Sequence, residues 1–217
     1  MRESSIKHHL SDELLLGYSA GILPEAFSLM VAAHISICDD CRAQVEAYDA
    51  LGGELIDAND SVAMGENSLD SVFSAIDTGF QARVQPKTSR CSVLPQPLQD
   101  YVGGGVDAIR WRPVGMGVKQ AILKTDKTAS ARLLYLPAGA AVPDHGHHGM
   151  ELTMVLQGAF SDEIDHFARG DVEIADEDVN HTPIADVGED CICLAVTDAP
   201  LRFNSLVPRL LQPLLRI

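Results

Sequence analysis

Basic residues are scarce in this chain: 16 Lys and Arg stand against 31 Asp and Glu in 217 residues, for a formal charge of −15. That balance argues against direct nucleic-acid contact, because phosphate binding needs a basic footprint. The shortage is uneven, with four Lys and Arg against 14 Asp and Glu in residues 1–85, and 12 against 17 in the other 132. An acidic first half suits a basic protein partner, although plain solubility also calls for surface acid. Long apolar runs are missing too: none reaches the roughly 18–20 residues that span a bilayer, and the N-terminal stretch lacks the apolar region of a signal peptide. A cytoplasmic protein without membrane contact is expected. Cysteines are few and odd in number, five in all, and two sit at metal spacing rather than in a disulfide framework, so reduced thiols are expected.

What is present is enough to build a core. Hydrophobic residues make up 46% and charged residues 22%, and the length accommodates two small domains. The first ~80 residues follow helical periodicity. Ser11 caps a helix with Leu14, Leu15 and Tyr18 at helical spacing, and Gly21 ends it. Pro24 opens a second helix with Phe27, Met30, Val31 and His34 on its stripe. Asp39 and Asp40 open a third through Val45, Tyr48 and Leu51, which Gly52 and Gly53 weaken or end. Ser68 caps a fourth, with Leu69, Val72, Phe73, Ile76 and Phe80 as its apolar face.

Residues 81–99 lose any period, with Pro86, Pro95 and Pro97 and a basic cluster at Lys87 and Arg90. Beyond them, short β-like runs at 109–114, 118–123, 131–136, 152–156, 172–174 and 191–196 recur between Gly, Pro and Asp. Strands of that length and recurrence suit a closed β-barrel or jelly roll. The expected organisation is a helical domain over 1–85, a linker over 86–99 and an antiparallel β-barrel domain over 100–217: an α + β chain of two domains.

Each half carries a candidate metal site. His34, Cys38 and Cys41 form H-x3-C-x2-C; His34 and Cys38 share a helix face, and Cys41 follows in the geometry by which CxxC clasps one ion. The fourth donor is His8 or His9. Four protein donors of this type select zinc in a closed, structural site. In the second half, His145, His147 and Glu151 read H-x-H-x3-E between Gly139 and Gly158, with His181 downstream. Alternate histidines point the same way from a strand, and a Gly149 bend brings in Glu151. Three imidazoles and a carboxylate hold zinc, manganese, iron or nickel. His148 competes with His147 but fits an exposed loop, and His166 fits a surface residue. Cys191 and Cys193 share one strand face as buried small hydrophobes rather than a redox pair, and Cys91 is expected free and exposed.

The helical half, with His8-His9, Pro24-Glu25-Ala26 and the His34–Cys41 run, resembles the zinc-binding anti-sigma domain of ChrR-type anti-sigma factors. The later run resembles the first cupin motif, and His181 supplies the histidine of the second. The rest of that second motif departs from the pattern: Asp176-Glu177-Asp178 stand in place of Pro-x-Gly, and Ala185 in place of an asparagine. ChrR-type proteins join a cupin-like domain to the anti-sigma domain, so the resemblance covers nearly the whole chain, to residues 200–204 and the Phe/Leu-rich tail. It implies zinc at His9, His34, Cys38 and Cys41, with His8 a bystander, and a cupin metal at His145, His147, Glu151 and His181. It further implies an extracytoplasmic-function sigma factor of group IV as partner, kept from core RNA polymerase and released in response to singlet oxygen or organic peroxide. Self-association is expected when no sigma factor covers the helices. The competing reading is a metal-dependent cupin dioxygenase-like enzyme with a helical zinc appendage, for which the H-x3-C-x2-C half has no use. A regulatory protein rather than an enzyme is the stronger expectation.

Overall fold

Ser11 accepts the Leu14 N–H through its side chain and opens helix α1 (Asp12–Ser19), with Asp12 and Glu13 at the positive end of the helix dipole. The chain leaves α1 through Gly21 at φ +68°, a left-handed conformation that glycine adopts without penalty. Pro24 is the cap residue of α2 (Glu25–Ile35), and Cys38 that of α3 (Asp39–Asp57). A computed structural model describes residues 6–78 and 91–203. Helix α3 runs through Gly52 and Gly53 instead of ending there. Two interior glycines, Gly52 half-buried and Gly53 exposed, cost about 1 kcal/mol each relative to alanine, which the good helix formers on both sides offset. Helix α4 (Ser68–Asp77) starts one residue beyond the Asn67 cap; Phe80, assigned to its stripe, lies outside the described residues.

The stretch expected to be a linker is partly structured. Residues 86–90 lie outside the described residues, but Pro95 opens α5 (Gln96–Val102), which packs on α2 and ends at Gly103 in the left-handed region. The prolines that break the period therefore start a helix, since proline suits a first turn. Cys91 is half-buried against the core rather than exposed, and its sulfur accepts the Leu94 N–H.

Twelve strands follow: β1 (Arg112–Gly115), β2 (Val118–Ile122), β3 (Ser130–Leu136), β4 (His145–Gly146), β5 (Glu151–Gln157), β6 (Ala159–Ser161), β7 (His166–Ala168), β8 (Val172–Ala175), β9 (Asn180–His181), β10 (Ile184–Ala185), β11 (Cys191–Thr197) and β12 (Arg202–Phe203). Among the described residues all pairings are antiparallel. A six-stranded sheet runs β1-β2-β3-β11-β5-β8, and two three-stranded sheets run β10-β6-β7 and β12-β4-β9. The three sheets line one cavity without joining into a single hydrogen-bonded ring among the described residues, so the fold is a jelly-roll-like double layer rather than a closed barrel.

Alternation along the central strands sets what each face of the large sheet meets. Ala131 and Leu133 on β3, Leu152, Met154 and Leu156 on β5, and Ile192, Leu194 and Val196 on β11 join one core with Leu14, Phe27, Met30 and Val31 of the helices. Leu136, Val155, Cys191 and Cys193, at the intervening positions, join Phe160 and Phe167 in a second core inside the β-fold. Covered on both sides, β11 is buried at all seven residues and reads as a continuous apolar run. Helix α2 lies between α1 and α3 on one side and the sheet on the other, and seven of its residues are buried. Its N-terminus is pinned as well: Glu25 accepts the Asp126 N–H and the Tyr101 hydroxyl proton, both at 2.6 Å.

Candidate metal centres

The first centre is built by three chain turns. His34 ends α2, fully buried, and its carbonyl receives the N–H groups of Ile37 and Cys38. That tight turn places Cys38 at the cap of α3, where its sulfur accepts the Cys41 N–H at 3.5 Å, and Cys41 sits in the first turn. His9 enters from the segment before α1. Cys38 Sγ and His9 Nδ1 lie 3.3 Å apart, Cys41 Sγ and His9 Nδ1 3.5 Å, and His34 Nε2 and Cys41 Sγ 3.3 Å. Bonds of about 2.0 Å to nitrogen and 2.3 Å to sulfur around a tetrahedral ion give nitrogen-to-sulfur edges of about 3.6 Å, close to these separations.

Electrostatics agree with a cation site. Burial, reinforced by His9, pulls His34 down to about 4, so its ring is neutral and free to donate a lone pair. Burial pushes the Cys41 thiol up to about 11, so a thiolate there needs a neighbouring positive charge. The structure brings His9, not His8, to this cluster. The His8 ring packs on Phe167, centroids 4.5 Å apart, with Nε2 3.1 Å from Asp165. Around it the N-terminal segment docks on the β-fold: Asp171 accepts the Lys7 and His8 N–H groups, and Val172 donates its N–H to the His8 carbonyl.

The second centre opens into the cavity of the β-fold. Antiparallel pairing of β4 with β9 sets His145 opposite His181, with their Nε2 atoms 3.2 Å apart. Gly149 lets the backbone pass Asp198, whose carboxylate a Cβ there would strike and which accepts the Met150 N–H at 2.9 Å. The bend delivers Glu151 at the start of β5, with Oε2 3.2 Å from His147 Nδ1 and 3.8 Å from His145 Nε2. All four donors are buried and lie within 4.8 Å of one another. Both ring nitrogens of His147 and Oε2 of Glu151 are buried without a hydrogen-bond partner. Orphaned polar atoms on two of four donors that lie within 4.8 Å of one another fit a cation that the donor set is chemically suited to hold.

A carboxylate pair that the motif does not contain supports the site. Glu173 and Asp162 lie 2.7 and 3.0 Å from His181 Nδ1, which leaves Nε2 for the cluster. The Pro143 carbonyl does the same for His145 Nδ1 at 2.9 Å. Burial would lower His181, but the hydrogen bond and charge of Glu173 raise it to about 9, while burial lifts Glu173 itself to about 7. Burial would also raise Glu151; the adjacent His145 and His147 prevail and hold it at about 2. Glu173 was legible in principle, as the charged residue on the inward phase of an otherwise apolar strand. Asp162 sits in a loop with no such pattern.

The remaining candidates fall outside both clusters. His148 is exposed, and His166 pairs at the surface with Asp186 at 3.0 Å. Cys191 and Cys193 are buried in the inner core with sulfurs 3.4 Å apart. Asp176-Glu177-Asp178 form a turn in which Asp176 accepts the Asp178 N–H, and Ala185 is buried opposite Phe160.

Fold and donor sets together define a cupin-like metal-site protein with a helical unit, bearing a second donor cluster, packed on its outer sheet. A family model described as the ChrR Cupin-like domain matches residues 101–200. The chain is 56% identical over 213 residues, 98% of its length and all of the other's, to the anti-sigma-E factor ChrR of Cereibacter sphaeroides. It belongs to the ChrR family. Among solved structures it is similar to Rhodobacter sphaeroides SigE in complex with the anti-sigma ChrR, with 53% identity, TM-score 0.79, and coverage of 89% of this chain and 99% of that one.

Proposed function

We propose that this chain is a cytoplasmic anti-sigma factor whose helical part, residues 1–85, captures an extracytoplasmic-function sigma factor, while the cupin-like part, residues 100–217, promotes release in response to an oxidant. The observation that carries the reading lies in α4. None of its residues is buried, yet Leu69, Val72, Phe73 and Ile76 form an apolar stripe, each more than half exposed. Leu51, Leu55 and Ile56 extend the exposed apolar surface along the distal half of α3. A ten-residue helix with no buried residue is marginal in water, and a partner covering this apolar face would stabilise it. The relative of similar length is an anti-sigma factor, and the similar solved structure is a complex of SigE with the anti-sigma ChrR. Without that partner, the same stripe favours self-association.

His9, His34, Cys38 and Cys41 would hold zinc as a closed, structural cross-link of the N-terminal segment, α2 and α3. His145, His147, Glu151 and His181 would hold a second divalent ion, which supplies Lewis acidity or redox chemistry according to its identity. The chain's own residues connect the two centres. Glu173 on β8 orients His181, and Asp171, two residues earlier, grips the backbone of Lys7 and His8 next to His9. A change at the cupin centre that shifts β8 therefore reaches the helical centre through the first residues of that strand, and a ten-fold loss of sigma affinity needs only about 1.4 kcal/mol.

The test uses Val72→Glu with Phe73→Glu. The double variant should bind a SigE-type sigma factor at least ten-fold more weakly in a titration, with an unchanged melting temperature. Undiminished binding would overturn the assignment of this surface.

A further inference from the structure

The cupin cavity contains a feature that neither centre uses. It measures about 350 Å³, within the range of small-molecule pockets, and Val118, Leu134, Leu136, Phe160 and Phe203 form its apolar walls. At its mouth stands the β1–β2 hairpin tip, Gly115-Met116-Gly117, all three at positive φ, with Met116 exposed. Arg132, on the inward phase of β3, also lines the cavity, and only 7% of it is exposed. Ala195 lies beside it on β11 and Thr153 beyond on β5, both too short to fill the space its side chain crosses. Its Nη2 donates to Ser130 Oγ at 3.1 Å, but its Nη1 is buried with no hydrogen-bond partner.

A guanidinium stays charged in a protein, and burying one of its N–H donors unpaired carries the desolvation cost of a charged group. Glu151 contributes an opposing charge, but its Oε2 faces His145 and His147 instead. A cation at that centre would draw on Glu151 further and leave Arg132 with less compensation still. Among the described residues Arg132 is the only lysine or arginine lining the cavity, a single cationic anchor beside Glu151 and Glu173 that suits a monoanion rather than a phosphate dianion. The fork of a guanidinium fits a carboxylate, and the surrounding walls fit hydrocarbon.

We propose that this cavity binds a small apolar monocarboxylate, with its carboxylate on Arg132 and its hydrocarbon body against Leu134, Leu136, Phe160 and Phe203. The site would make the cupin-like part a receptor for a metabolite of the fatty-acid or arylalkanoic type. The inference does not depend on the anti-sigma reading.

The experiment titrates the purified full-length protein with sodium octanoate by calorimetry, with 1-octanol as the neutral probe of equal chain length. Octanoate should bind saturably at one site. Arg132→Met should weaken octanoate at least ten-fold, which is about 1.4 kcal/mol, and leave octanol unchanged. Equal octanoate affinity in wild type and R132M, as a carboxylate anchored on the metal centre would give, overturns the proposal. So does a failure of octanoate to saturate the wild type. Should R132M fold poorly by circular dichroism, Leu134→Trp fills the same space from a neighbouring apolar position. That variant should lose both probes, and retained octanoate binding would overturn the proposal equally.

Discussion

Asp171 shows how much a single buried carboxylate organises in this molecule. It is 2% exposed and accepts N–H groups from Lys7, His8 and Ala168, which ties the segment before His9 to the turn between β7 and β8. Burial works against its ionisation, but the N–H groups of His8, Ala168 and Lys7 prevail and hold its carboxyl below the usual value. A depressed carboxyl stabilises the fold above its unfolded value, near 3.8, and that contribution disappears as pH falls through the folded value. Asp171→Ala should therefore cost about 2 kcal/mol at neutral pH, or about 4–8 °C in melting temperature for a chain of this size. The deficit should shrink below pH 4 in thermal scans. The same variant should give up the metal of the helical centre to a chelator sooner, although it removes no donor. At this scale the sequence was legible where spacing carries geometry, as in the two motif runs. It was silent where a residue works through a distant backbone, as Asp171 does, or from a loop without periodicity, as Asp162 does, whereas Glu173 and Arg132 stood out only as charges on the inward phase of apolar strands.

Among the elements, α2 and α3 depend most on the first centre. Cys38 and Cys41 occupy the cap and first turn of α3, and His34 ends α2, so an ion there would fix the angle between the two helices. Cys41→Ala should remove one metal equivalent by elemental analysis and lower the helical signal in circular dichroism, while the metal at the cupin centre remains. Full helicity after that loss would mean that packing alone holds the helices. Helix periodicity was readable because α1, α2 and the first half of α3 bury one face each, and the central strands because each gives four or more residues to a sheet. The short strands β4, β6, β7, β9, β10 and β12 escaped notice: two or three residues carry no period, and tertiary pairing alone defines them. The passage of α3 through two glycines and the start of α5 inside a proline-rich stretch are local penalties that packing outweighs.

At the scale of the whole molecule, the expected picture of two bodies on a tether meets a different arrangement. One hydrophobic core contains Leu14, Phe27, Met30 and Val31 from the helices together with Leu133, Met154 and Leu194 from the sheet. An apolar contact of that kind behaves as one folding unit, because separating the parts exposes the buried face of α2 and the outer face of the sheet simultaneously. The chain contains one tryptophan, Trp111, which packs against this core and lies 5.9 Å from Tyr135 on β3. Its fluorescence reports the β-fold, whereas the far-ultraviolet signal at the helical minimum is dominated by α1 to α4. In urea the two signals should follow one transition with the same midpoint. Chelation of the helical centre should move both midpoints down together, since the helices lose their cross-link and the sheet loses its cover. Two separated transitions, with the Trp111 signal indifferent to the chelator, would mean that the shared core contributes little. The short stretch from Asp171 into β8 at Glu173 would then have no mechanical basis for carrying a change from one centre to the other.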